Sequence, residues 1–185
     1  MNYSELENRI HKQSALFLTL YKKKPFALVT AESLTGGLIS AALVQPGGAS
    51  AYVDCAFTTY SNEAKMHCLK VSAETLHNFG AVSAQTVREM ANGALDNAPL
   101  ADYAVAVSGI AGPTGGSPQK PVGTVWMAFK NKNNNNDYCY CFNFSGSRDE
   151  IRLKTTLTAL EGLYTLIESG KPAFSTIEPL TILCN

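Results

Sequence analysis

The chain has 185 residues, 45% of them hydrophobic, which suits one globular domain with a sizeable core and excludes a second large one. Its 15 basic and 15 acidic residues cancel and no basic block exceeds Lys22 to Lys24, so the charge excludes an electrostatic nucleic-acid footprint and favours a small-molecule or protein partner. The N-terminus is charged where a signal peptide is apolar, no later run can span a bilayer, and the five cysteines lack ligand spacing, so a cytoplasmic protein with reduced thiols and no metal site is expected.

Tyr3, Leu6, Ile10, Phe17 and Tyr21 fall at helical intervals and define one apolar stripe, expected to pack on a sheet. Lys22 to Lys24 and Pro25 end that helix. Phe26 to Val29 then reads as a short buried strand, and Leu38 to Leu43 as a buried helix after the pair Gly36-Gly37. Ser33 falls at the turn between them. Its hydroxyl, or that of Thr35, caps the helix, or Ser33 is exposed at the carboxyl edge of a sheet beside helix N–H groups that attract an oxyanion or phosphate.

Gln45 to Ser50 is a loop, and Ala51 to Tyr60 has the aromatic and β-branched content of a second strand. Ser61 is placed to cap a helix that carries Lys65. If the two strands are parallel, Lys65 and Ser33 arise at the same sheet edge. Lys65 is then either a solvated surface lysine or a desolvated base able to take a serine proton. Ser72 starts a helix that Gly80 stops, and Ser83 starts another, on which Val87, Met90, Ala91, Ala94, Leu95 and Ala98 form a core-facing stripe. Tyr103 to Val107 is a buried strand. The glycine-rich stretch Ser108 to Ser117 follows it as a plain loop or an anion cradle, and it fits neither the phosphate-loop nor the dinucleotide signature.

Val122 to Phe129 and Tyr138 to Phe144 flank a polar, asparagine-rich insert and predict an antiparallel hairpin with a mobile tip. Ser145 to Glu150 opens the last helix, striped by Leu153, Leu157, Leu160, Tyr164 and Ile167 and closed at Gly170. Arg148 and Arg152 lie in its first turns, where cations are disfavoured unless a carboxylate or an anionic ligand holds them. The expected fold is a single three-layer α/β/α domain over residues 1–170, with a mixed sheet of about five strands. Residues 171–185 form a tail without an assignable pattern.

Taken together, Thr30-Ala-Glu-Ser-Leu-Thr-Gly-Gly, Tyr60-Ser-Asn-Glu-Ala-Lys, Gly80-Ala-Val-Ser, Val107-Ser-Gly-Ile-Ala-Gly-Pro, Lys120-Pro-Val-Gly-Thr-Val and Gly146-Ser-Arg resemble the CinA C-terminal domain family, in its order and spacing, over about residues 5 to 168. The resemblance implies a nicotinamide-nucleotide amidase that hydrolyses the carboxamide of nicotinamide mononucleotide without metal or cofactor. It implies Ser33 as nucleophile and Lys65 as base. Thr35, Gly36 and Gly37, with Ser108, would supply the oxyanion site, Tyr60 a wall that orders Lys65 or stacks on the pyridine ring, and Gly109, Gly112, Gly115 and Gly116 a cradle for ribose and phosphate, with Arg148 beside them. A homodimer is the implied assembly. Leu34 stands where the family has cysteine and Ser108 where it has threonine, while the large N-terminal domain of longer members is not represented, so a stand-alone amidase is expected. Two other functions fit the resemblance: a non-catalytic competence-related protein that binds a recombination partner, and a serine amidase on a different amide.

Overall fold

The computed structural model describes the whole chain apart from residues 135, 136, 176, 178 and 185. Three parallel strands, β1 (Leu28–Glu32), β2 (Val53–Thr58) and β3 (Tyr103–Gly109), are joined by an antiparallel hairpin of β4 (Thr124–Asn131) and β5 (Asp137–Asn143). These are the five expected strands. The tail adds a sixth, β6 (Thr181–Cys184), antiparallel to β5, and the order is β2-β1-β3-β4-β5-β6. The tip of the asparagine tract falls partly outside the described residues.

Helices cover both faces. On one lie α1 (Tyr3–Lys23), α2 (Leu38–Val44) and α6 (Arg148–Ser169), and on the other α5 (Ala84–Asn97), backed by α3 (Asn62–Leu69) and α4 (Ala73–Phe79). Alternation along the strands explains the two cores. Leu28, Val105, Val107 and Phe129 face the first helical layer, whereas Val29, Ala31, Ala104, Ala106 and Ala128 face the second. The small side chains on that second face let α5 lie close to the sheet. Gly93 lets α5 approach α3 in the same way, since a Cβ there would sit 1.9 Å from Leu69 O.

Local capping chemistry fixes most helix starts. Ser61, Ser72, Ser83 and Ser147 each accept an N–H from the first turn of the helix that follows, and Gly170 closes α6 in the left-handed conformation. The α1 stripe buries Leu6, Ile10, Phe17 and Leu20 and leaves Tyr3 exposed. Its partners differ from expectation, because α1 packs on α6 and α2 rather than directly on the sheet. The long apolar flank of α6 already occupies that face. No helix among the described residues is long and apolar enough to cross a membrane.

Candidate active site

Because β1, β2 and β3 are parallel, their carboxyl ends share one edge of the sheet. Glu32 pairs with Thr58 on one side and Val107 on the other, and Thr59 N–H to Glu32 O (2.9 Å) and Ser33 N–H to Val107 O (3.1 Å) extend the ladder by one step. Ser33 begins a tight turn just past β1, while Tyr60 stands just past β2 and Ser108 in the last residues of β3. Ligands of open α/β sheets collect at such an edge.

Lys65 is no surface lysine. It is 1% exposed, and its side chain folds back past the N-terminus of its own helix, where Nζ donates to Thr59 O at 2.8 Å, Ser33 Oγ at 3.0 Å and Tyr60 O at 3.2 Å. Three acceptors match the three hydrogens of an ammonium, yet none is an anion. With no anion to offset it, burial penalises the charged form and lowers the Lys65 pKa from 10.5 to about 8. Neither Arg148 nor Arg152 is among the causes of that shift.

The turn after Ser33 is held from two directions. Neither Ser33 nor Thr35 caps α2, whose N-cap is Gly37 in the left-handed region (φ +97°). The cap comes from Glu32, fully buried, whose carboxylate accepts the N–H groups of Gly37 (3.0 Å), Ile39 (3.0 Å) and Ser40 (2.8 Å). Gly36 N–H turns back to Ser33 O at 3.1 Å. The N–H groups of Gly36 and Gly37, expected to face an oxyanion, are thus engaged within the turn. From α6, Arg152 donates Nε to Leu34 O and Nη2 to Thr35 O, each at 3.0 Å, and lies 3.6 Å from the exposed Asp149 carboxylate.

A cavity of about 330 Å³ opens beside Ser33 and Lys65, and Leu34, Tyr60, Ser108, Gly109, Gly112, Gly115 and Arg148 also line it. Its size is in the range of small-molecule sites. Gly36, Gly37 and Gly116 do not border it, and the Gly36 and Gly37 N–H groups are spent within the turn, which corrects their assignment to direct ligand contact; the Thr35 side chain does not line it either, which leaves only the unspent Thr35 N–H. Thr35 is fully buried, and Gly116 serves a close approach in which a Cβ would lie 2.9 Å from Val122 N. Ser108 lines the cavity, but its hydroxyl donates to Ala81 O at 2.7 Å, so its hydrogen is spent in fixing the 80–83 loop. Arg148 donates to Gly112 O (2.7 Å) and to the hydroxyl of Tyr60 (3.2 Å), and no acidic side chain pairs with it among the described residues. A hollow of about 320 Å³ between α1, α2 and α6 has no comparable cluster of chemistry-bearing groups.

Two positioning groups escape a reading of the sequence. The signal for Glu32 is a carboxylate just upstream of an uncapped helix, and for Arg152 a cation near a helix N-terminus whose hydrogen-bond acceptors prove to be backbone carbonyls.

Comparison with known proteins identifies the family. The family model for the CinA C-terminal domain matches residues 10–167. A relative from Enterobacter agglomerans named nicotinamide-nucleotide amidohydrolase PncC is 47% identical over 155 residues, covering 84% of this chain and 93% of the relative. The protein of that name from Escherichia coli (strain K12) is 47% identical over 143 residues, 77% of this chain and 86% of that one. Among solved structures, the competence/damage inducible protein CihA from Agrobacterium tumefaciens superimposes with a TM-score of 0.82 at 47% identity, covering 85% of this chain and 95% of that one. With a family match across most of its length and this degree of identity, the chain belongs to the CinA C-terminal domain family.

Proposed function

We propose that the protein is a nicotinamide-nucleotide amidase that hydrolyses the carboxamide of nicotinamide mononucleotide to nicotinate mononucleotide and ammonia, by a serine nucleophile and a lysine base. The names of its relatives support the reaction, and one observation carries the mechanism: Lys65 Nζ, buried and with a lowered pKa, is 3.0 Å from Ser33 Oγ at the floor of a cavity. With the amine neutral, the Ser33 hydroxyl donates to its lone pair. Ser33 Oγ then bonds to the carboxamide carbon, the carbonyl π electrons move to oxygen, and Lys65 takes the proton. The resulting ammonium is held by Thr59 O and Tyr60 O until it protonates the departing nitrogen, so the C–N bond breaks with release of ammonia. Water attacks the acyl-serine ester with Lys65 again as base, giving the carboxylate and restoring Ser33.

The oxyanion needs donors that are not already spent. The N–H groups of Leu34 and Thr35 carry no hydrogen bond among the described residues, unlike those of Gly36 and Gly37, and we assign stabilisation of the developing charge to them. A well-placed donor of this kind contributes about 3 kcal/mol to the transition state. Tyr60 and Arg148 wall the mouth beside the 109–115 loop, where ribose and phosphate are to be held and where the guanidinium supplies the positive charge.

Purified protein is expected to release ammonia from nicotinamide mononucleotide and to leave free nicotinamide almost untouched, as followed by coupled glutamate dehydrogenase. Release from free nicotinamide alone, or from neither, would overturn this assignment. A homodimer belongs to the same reading, with light scattering at micromolar concentration expected to give about twice the 19.8 kDa of one chain.

A further inference from the structure

We propose that Arg152 is the positioning residue for the nucleophile's turn: it fixes the Leu34–Thr35 and Thr35–Gly36 peptide planes, and through the first of them the Thr35 N–H that receives the oxyanion. This rests on the reading of Ser33 as nucleophile. Arg152 reaches from the second turn of α6 to a segment 118 residues earlier in the chain, and Nε and Nη2 of one planar edge take Leu34 O and Thr35 O, both at 3.0 Å. Those carbonyls belong to consecutive peptide units. In a trans unit the N–H opposes the C=O, so seating Leu34 O on the guanidinium directs Thr35 N–H away from α6. Seating Thr35 O leaves Gly36 N–H on the opposite side, where it meets Ser33 O at 3.1 Å.

Glu32 does not substitute for this contact. Its carboxylate binds Gly37, Ile39 and Ser40 and so controls where α2 begins, but among the described residues it makes no hydrogen bond to the three residues after the nucleophile. Among the described residues, Arg152 makes the one side-chain hydrogen-bond contact to the backbone of residues 34–36. Gly36 takes the left-handed φ of +62° that side chains rarely adopt, whereas a Cβ there would meet Arg152 Nη2 only at an ordinary contact distance of 3.5 Å. Unlike Arg148, Arg152 is absent from the cavity lining, and its Nε and Nη2 are taken by the turn carbonyls. The role calls for a planar fork. An ammonium is a point charge on a flexible stem and does not hold two successive carbonyls in fixed relation.

The test uses Arg152→Lys and Arg152→Met in the full chain, with steady-state kinetics on nicotinamide mononucleotide and the rate of Ser33 sulfonylation by phenylmethylsulfonyl fluoride, read by intact mass. Both variants are expected to lose between about 10-fold and 100-fold in kcat, with KM within about threefold of wild type. Sulfonylation of Ser33 slows in parallel, while the midpoint of the pH profile stays in place because the surroundings of Lys65 are unchanged. A raised KM with kcat preserved would mean that Arg152 binds substrate, and unchanged labelling would mean that the turn holds itself; either overturns the proposal. A loss that tracks a fallen melting temperature and vanishes on cooling would reduce Arg152 to general support, which also overturns it. The labelling arm does not depend on the substrate. Slow labelling of the variants in a protein inert towards nicotinamide mononucleotide would sink the proposed reaction and leave the role of Arg152 standing.

Discussion

Ser33→Ala and Lys65→Met are each expected to lower kcat for carboxamide hydrolysis by at least about 10⁴-fold, and the double variant to be scarcely worse than either single one. The non-additivity follows from geometry. In the proposed mechanism Ser33 Oγ and Lys65 Nζ, 3.0 Å apart, act as one proton-transfer unit, so removal of either member leaves the other without a task. Methionine is chosen because Lys65 is 1% exposed and its volume must be kept, and circular dichroism should report an unchanged fold for all three variants. A multiplicative loss in the double variant would assign the two residues to separate steps. Appreciable activity in either single variant would end the dyad assignment.

Activity should rise with pH through a single ionisation near pH 8, and Lys65→Arg should be inactive although it keeps the positive charge. The sign follows from the base needing its lone pair: below the Lys65 pKa of about 8 the amine is protonated and cannot take the serine proton. Arginine never supplies that neutral form. The same burial acts on stability. Lowering the pKa from its ordinary 10.5 to about 8 makes the folded protein bind this proton less tightly than the unfolded chain does, a penalty on the order of 3 kcal/mol that is fully present below pH 8. It fades as pH rises from 8 towards 10.5. Denaturant melts over that range should therefore show wild type gaining stability relative to Lys65→Met. A flat activity profile from mild acid to alkali under chemistry-limited conditions would show that Lys65 only positions substrate.

The element order was legible because it depends on short-range physics. Ser61, Ser72, Ser83 and Ser147 announce their helices within three residues, and the stripe from Val87 to Ala98 faces the core as its spacing requires. The placement of Ser33 and Lys65 at one sheet edge followed from two strand-to-helix transitions and the single assumption that β1 and β2 run parallel. The β6 strand was not legible, since Thr181–Cys184 is short and acquires its pattern only by pairing with β5. The site was misread where a donor, backbone or hydroxyl, had more than one possible acceptor. Nothing local says that Glu32 will reach forward to Gly37, Ile39 and Ser40, or that the Ser108 hydroxyl will be spent on Ala81 O.

By itself, then, the sequence determined which segments become helix and strand, which faces of them are apolar, and which hydroxyl and amine lie where a nucleophile and its base belong. Those properties arise from contacts within a few residues or from periodicity, and both are written in order along the chain. Only the tertiary structure decided the state of those groups. Packing strips Lys65 of water and gives it three neutral acceptors, the surroundings that the proposed base requires, and the turn after Ser33 keeps the N–H groups of Leu34 and Thr35 unspent because Glu32 and Arg152 take up its other polar atoms. Desolvation and hydrogen-bond allocation depend on which distant segments meet, and the Arg152 contact spans 118 residues, so neither is encoded at any one place in the chain.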